Sequence, residues 1–107
     1  ENLVSHLKDK KIHLEICPSC NIQTSMYEAY KEHPVDSLKK NGVLLNINTD
    51  CRTIVNVNLN TEYKRLQENF GWTKQDFYEC NVNAVKAAFI PEEVKQTLLQ
   101  KLTLAYQ

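Results

Sequence analysis

Two groups of residues have types and spacing that could support chemistry. Cys17 and Cys20 flank a Pro-Ser pair, the spacing of redox dithiols, in which a helix start lowers the pKa of one thiol and the second thiol resolves a mixed disulfide. Asp50 follows an apolar run and offers a carboxylate to a metal ion or to general-base catalysis. Each group has a plainer alternative: small thiols packed at a strand end, and an aspartate that caps a loop.

Other metal-ligating residues do not add to these two groups. Cys51 and Cys80 are isolated in the sequence, so a zinc site of four thiolates is not predicted. The histidines share no ligand spacing. We therefore expect each of them to be structural or solvated: His6, His13 and His33.

Two strands must position the candidate residues. Ile12–Cys17 alternates apolar and other residues and stops at Pro18, which predicts a first strand, and Val43–Asp50 predicts a second. About 30 residues separate them, as in a βαβ unit, so parallel strands with a right-handed crossover are expected. Chemistry collects at the carboxyl ends of such strands. Both candidate groups fall there, with Asp50 on the same strand face as Asn46 and Asn48.

The rest of the chain is predicted to be helical. A Thr73…Asp76 capping box begins one helix, and Gly42 and Gly71 supply left-handed stops for two others. The final helix begins at Pro91. The other predicted helices cover residues 2–10, 24–30, 34–40 and 60–70. The helix that begins at Thr73 is predicted to bury Phe77, Cys80 or Asn81, Ala84, Val85, Ala88 and Phe89. The final helix is predicted to bury Val94, Leu98, Leu102 and Ala105.

Composition restricts the class of protein. The chain has 107 residues, with 13 basic and 13 acidic side chains, which predicts a single unit and argues against nucleic acid as a partner. Two glycines exclude a glycine-rich phosphate loop. No apolar run is long enough for a membrane span, and four cysteines fit a reducing, cytoplasmic location. Two parallel strands alone would leave most of their ladder unpaired, so we expect a missing part of the sheet or self-association.

Five separated segments resemble the C-terminal third of the adenosine deaminase family, in the same order. They are His13–Thr24, His33-Pro34, Asn46–Asp50, Asn81–Ala84 and Ala88–Glu93. The resemblance implies the C-terminal part of a TIM-like (α/β)8 barrel, with two parallel strands and about five helices in this chain. It also implies a catalytic zinc that activates water to displace ammonia from adenosine or deoxyadenosine.

The resemblance assigns roles to a few positions. Asp50 matches the family's aspartate, which binds zinc and contacts the attacking water. The family usually has a second aspartate next, which bonds the purine ring, and then proline; here Cys51 and Arg52 stand instead. Cys20 replaces a common serine. The implied site residues are thus Asp50 as metal ligand and catalytic residue, and Cys51 at the substrate.

The family's other zinc ligands, its glutamate proton shuttle and its water-orienting histidine have no counterpart here. The leading hypothesis is therefore a fragment of an adenosine deaminase that is inactive by itself. The alternatives are a small CxxC dithiol oxidoreductase and a non-catalytic, self-associating domain. We also expect Cys20 and Cys51, at the ends of neighbouring strands, to lie close enough to interact.

Overall fold

The computed structural model describes residues 2–107. Its centre is a pair of parallel strands, β1 (Leu14–Ile16) and β2 (Leu45–Ile47), with Leu14 opposite Leu45 and Ile16 opposite Ile47. A 3-10 turn covers Tyr30–Glu32. The helices are α1 (Asn2–Asp9), α2 (Pro18–Gln23), α3 (Val35–Lys40), α4 (Arg52–Val55), α5 (Leu59–Phe70), α6 (Lys74–Ala87) and α7 (Glu92–Tyr106).

The α/β class and the parallel pairing are confirmed, but both strands are shorter than predicted. Ile12, two residues before β1, still donates its N–H to the carbonyl of Leu7 near the end of α1. Val43 does the same with Leu38 at the end of α3. The ladder is therefore confined to the few residues that face a partner strand, and its last bond runs from Asn48 N–H to the Ile16 carbonyl at 2.8 Å.

The expected number of about five helices is too low, since the described residues form seven α-helices. The predicted helix from Thr24 to Tyr30 is wrong. A helix begins earlier, at Pro18, and Thr24 is its C-cap residue. The Oγ1 of Thr24 donates a hydrogen bond to the Cys20 carbonyl at 2.9 Å. Ser25 then takes a positive φ of 59°. The short helix α4 gave no recognisable pattern in the sequence.

The predicted helix ends are largely confirmed. Gly42, two residues after the end of α3, and Gly71, directly after α5, have φ values of 79° and 71°. This is the left-handed conformation that glycine adopts without steric cost. Thr73 and Asp76 form the predicted capping box of α6. Thr73 N–H donates to Oδ2 of Asp76 at 2.7 Å, so the backbone of the α6 N-terminus is satisfied by its own side chains.

The hydrophobic core lies between the outer face of the strand pair and α5 and α6. It consists of side chains from both strands, α3, α5, the turn after α5, and α6: Ile16, Val35, Leu45, Ile47, Leu66, Trp72, Phe77 and Cys80. Tyr63 stacks on Phe77 with ring centroids 4.2 Å apart. Trp72 also donates from its indole N–H to Asp36 at 2.9 Å. The strand pair is thereby fixed to the helices behind it.

Four predicted buried positions of the C-terminal half are wrong. Phe89 follows α6 and is fully exposed. In α7 the predicted stripe is rotated by about one residue, because Val94, Leu98 and Ala105 are exposed. The more protected side of α7 is formed by Lys95, Leu99, Leu102 and Tyr106.

Candidate functional site

The two groups of candidate residues meet where β1 and β2 end. The Sγ of Cys20, in the first turns of α2, donates a hydrogen bond to Oδ2 of Asp50 at 3.2 Å. These residues are 30 positions apart in the sequence. The contact is possible because parallel strands place their carboxyl ends at one edge of the sheet. The strand order alone thus places a thiol against a carboxylate.

The sequence pattern predicted Asp50 at the end of a strand. In the structure, Asp50 lies instead in a turn that follows the strand. β2 ends at Ile47, and Asp50 has a positive φ of 52°. Its carbonyl accepts a bond from the N–H of Arg52 at 2.7 Å, where α4 begins. Its side chain is exposed. The carboxylate is therefore open to solvent, while its backbone is fixed by a tight turn.

The thiols of the Cys-Pro-Ser-Cys segment are not activated. Burial, followed by the nearby Asp50 carboxylate, raises the pKa of Cys17 to about 11. The hydrogen bond to Asp50 raises the pKa of Cys20 as well. A reactive dithiol needs at least one lowered pKa. The electrostatics therefore favour the plain interpretation of this segment, in which the thiols pack and donate hydrogen bonds.

Cys51 and Arg52 follow Asp50 on the exposed rim of the site. Cys51 occupies the N-cap position of α4, and its side chain makes no capping hydrogen bond. Cys51 acts on the pKa of Cys20 in both directions: its charge raises that pKa, whereas a hydrogen bond with its backbone lowers it. Both cysteines are free, as are Cys17 and Cys80.

A polar cluster of two buried and two half-buried residues, which the sequence analysis missed, lies behind the rim. Its members come from α2, the 3-10 turn and α5: Ser19, Tyr30, Glu62 and Arg65. Glu62 is 0% exposed, and its Oε2 accepts the backbone N–H of Ser19 at 3.3 Å. Arg65 donates to the Ser19 Oγ at 2.6 Å and to the Tyr30 hydroxyl at 2.7 Å. Glu62 precedes the core residue Leu66 by one helical turn, and this carboxylate on an apolar stripe was the available signal.

Two of the histidines are structural, as the sequence analysis expected. His33 is buried, and its Nε2 lies 2.9 Å from Oδ1 of Asn21 while its Nδ1 accepts the N–H of Val35. Burial lowers the pKa of His33. His13 is half-buried, with Nε2 2.6 Å from Oδ1 of Asn46. His6 is exposed on α1.

A complete metal centre is not formed by residues 2–107. Within this part of the chain no three His, Cys, Asp or Glu side chains converge. The exposed carboxylate of Asp50 suits a single ligand of zinc, an ion that takes at least three protein ligands in catalytic sites. The residues present therefore fit one corner of such a site.

Comparisons with known proteins show which family this chain is similar to. The adenosine deaminase family model matches residues 1–105. The chain is 40% identical over 99 residues to an adenosine deaminase of Vibrio atlanticus, covering 92% of this chain and 30% of that protein. It is similar to the apo structure of N6-methyl-AMP deaminase from Arabidopsis thaliana, with a TM-score of 0.86, 28% identity, and coverage of 94% and 30%.

A third comparison concerns the fold alone. The crystal structure of adenine deaminase from Arthrobacter aurescens matches with a TM-score of 0.91 at 18% identity, covering 95% of this chain and 31% of that one. The fold and the rim at the strand ends thus define part of a TIM-barrel protein of the deaminase type. The chain belongs to the adenosine deaminase family. It spans about a third of the length of the relatives it matches.

No helix within residues 2–107 has the length and apolar character required to cross a bilayer.

Proposed function

We propose that this chain is the C-terminal part of a zinc-dependent adenosine deaminase. The reaction is hydrolytic deamination of adenosine or deoxyadenosine to inosine or deoxyinosine with release of ammonia. The observation that carries the proposal is Asp50, a family-matched carboxylate that is solvent-exposed at the strand ends and held by Cys20 at 3.2 Å.

Asp50 has two roles in this proposal. One of its carboxylate oxygens accepts the Cys20 hydrogen bond, which fixes the rotation of the carboxylate and leaves the other oxygen for a metal ion. Zinc, when bound, lowers the pKa of water and stabilises negative charge that develops on the substrate. Its remaining ligands come from outside residues 2–107. Asp50 also contacts the attacking water and is thus a catalytic residue.

Cys51 is proposed to line the purine pocket. It follows Asp50 directly and its side chain is exposed on the same rim. A thiol is only a weak hydrogen-bond donor and acceptor. Cys51 would therefore contact the purine ring mainly through packing, where a carboxylate would bond a ring nitrogen.

The partner of this chain is proposed to be the remaining part of the barrel. The two strands have free outer edges, and an open cavity of about 1120 Å³ borders their inner face, lined among others by His13, Glu15, Leu44 and Phe89. Exposed apolar side chains in such a cavity need a cover. Six further strands of a barrel would supply it, and self-association of two copies is the alternative.

The test uses the complete protein to which this chain belongs. We expect conversion of adenosine to inosine, followed by ultraviolet absorbance, with zinc bound to the purified protein. Asp50→Asn removes the negative charge and leaves the side-chain shape, so we expect activity and bound zinc to fall at least a hundredfold. Glu68→Gln, at an exposed carboxylate on α5 away from this cavity, is the matched control and leaves both unchanged. Equal activity in the two variants would refute the role of Asp50.

We also propose a cytoplasmic location. The four cysteines are free, as expected in a compartment where glutathione keeps thiols reduced. The purine nucleoside is the only partner required besides the rest of the barrel, with neither nucleic acid nor membrane.

A further inference from the structure

The buried carboxyl of Glu62 has no role in the function proposed above. Its side chain is completely buried, and Oε1 is the only buried side-chain nitrogen or oxygen among residues 3–107 that has no hydrogen-bond partner. A buried carboxyl without its full set of partners costs free energy. Burial accordingly raises the pKa of Glu62, although the bond from Ser19 acts in the opposite direction. An arrangement that costs stability is expected to have a functional role.

The other carboxylate oxygen of Glu62 points to that purpose. Oε2 accepts the backbone N–H of Ser19 at 3.3 Å. One helical turn further along α5, Arg65 donates to the Oγ of the same serine at 2.6 Å. Tyr30 completes the arrangement, with its hydroxyl 2.5 Å from the serine Oγ. Helix α5 thus holds Ser19 by both its backbone and its side chain, and we call these four residues the Ser19 clamp.

Ser19 directly precedes Cys20, whose thiol bonds to Asp50. The turn from β1 into α2 has no side-chain cap of its own, since Cys17 at the N-cap makes no such bond. Glu62 supplies from α5 the acceptor that a local cap would have given. The position of the Cys20 thiol, and through it the orientation of the Asp50 carboxylate, therefore depends on α5.

We infer that Glu62 and Arg65 are positioning residues for the proposed deaminase site, acting through Ser19 and Cys20 on Asp50. The inference rests on the proposed function, since it concerns the same carboxylate. Residues that orient a metal ligand from behind typically contribute roughly 10 to 100-fold in metal affinity or activity. We expect an effect of this size.

Glu62 is tested with two variants in the complete protein. Glu62→Met keeps the volume and removes the acceptor, whereas Glu62→Gln keeps an acceptor oxygen for the Ser19 N–H. Glu62→Met is expected to lower kcat and zinc affinity by roughly 10-fold or more, with little change in KM for adenosine. Glu62→Gln is expected to retain most of both. The matched control is Glu68→Gln on the same helix, where the side chain is 59% exposed.

Zinc affinity is measured by competition with a chromophoric chelator, and amide hydrogen exchange of residues 17–23 is measured on the metal-free protein. We expect faster exchange at Ser19 in Glu62→Met and not in Glu68→Gln. Unchanged zinc affinity and kcat in a folded Glu62→Met protein would overturn the inference. If Glu62→Met does not fold, the variant Arg65→Lys is compared with the control Lys64→Arg. We expect kcat to fall only in Arg65→Lys. Equal kcat in the two variants would overturn the inference.

The outcome for Glu62 is separable from that for the proposed function. If the wild-type protein binds zinc through Asp50 but does not deaminate adenosine, the proposed function fails, while the zinc-affinity comparison still decides the inference. If the wild type is active and the Glu62 variants match it, the inference alone fails.

Discussion

At the scale of single residues, the rim of the site departs from the family pattern next to Asp50. Where a second aspartate usually bonds the purine ring, Cys51 presents an exposed thiol. A hydrogen bond to a charged group contributes about 1.5 to 3 kcal/mol. The thiol cannot supply it, so under the proposed function we expect substrate binding to be the step that this departure weakens.

We expect Cys51→Asp to raise kcat/KM for adenosine by about tenfold in the complete protein, because the new carboxylate restores that bond. Steady-state kinetics measure the effect, mainly as a lower KM. Thr53→Asp adds the same charge two residues away, on the exposed side of α4, and leaves kcat/KM unchanged. An equal rise in both variants would mean that the added charge acts at long range.

The four thiols should differ in reactivity. Burial raises the pKa of Cys80 to about 12, and burial together with Asp50 raises that of Cys17 to about 11. Only the thiolate is nucleophilic, so at pH 8 both side chains are almost entirely protonated. We expect iodoacetamide to modify the exposed Cys51 first and Cys17 and Cys80 last, as located by mass spectrometry. Rapid alkylation of Cys17 would instead support the hypothesis of a dithiol oxidoreductase.

At the scale of elements, α6 is fixed to α3 by one lysine. Lys39 donates to Asp76 at 2.7 Å and to Glu79 at 2.9 Å. Burial disfavours the Asp76 carboxylate, but the bonds from Lys39 and from Thr73 outweigh it and lower its pKa from 3.8 to about 2. The capping box and the ion pair therefore share one carboxylate.

Asp76→Asn is expected to lower the free energy of unfolding by about 1 to 2 kcal/mol at pH 7. The pKa of Asp76 is lower in the folded protein than in the unfolded chain, so its contribution is complete well above pH 3.8 and disappears as the pH falls through about 2. Urea denaturation of both proteins across this range measures the difference. Glu79→Gln, which leaves the capping box intact, should cost less. A difference independent of pH would contradict the assignment.

The elements also show what the sequence could and could not predict. Glycine stops and the Thr73 capping box are local signals, and Gly42, Gly71 and Thr73 lie where they were expected. Helix α2 was missed because Thr24 suits a helix start, whereas here it closes one. Asp50 was singled out by its place after an apolar run and by the family pattern, and its role stays a prediction. The Ser19 clamp was not singled out, because it joins residues up to 46 positions apart, and no local pattern encodes such a contact.

At the scale of the whole molecule, the chain contains two of the strands of an eight-stranded barrel. The free strand edges and the open cavity beside them lie where the preceding strands would pack. Under the proposed function, Asp50 is one ligand of a zinc site whose other ligands come from outside residues 2–107. This division of the site predicts the behaviour of the chain when it is alone.

We expect the isolated 107-residue chain to have negligible deaminase activity with added zinc, because a single carboxylate cannot hold a catalytic ion. Loss of adenosine absorbance is the assay. Co-expression with a separate polypeptide containing the rest of the barrel should restore turnover, and the same mixture with the Asp50→Asn chain should not. Substantial turnover by the isolated chain would contradict the proposed division, and a dimer of this chain in solution would support self-association.

The positive φ of Asp50, 52°, has an evolutionary consequence. Glycine, asparagine and aspartate enter this backbone conformation more readily than most other residues. The turn and the chemistry therefore select the same amino acid for different reasons. In a lineage that no longer bound the metal, the turn would still restrict which residues fit at position 50. The most accessible substitution is asparagine, which needs a single-base change, removes the charge and keeps the backbone conformation. We expect catalytically silent descendants of this chain to carry asparagine or glycine at position 50.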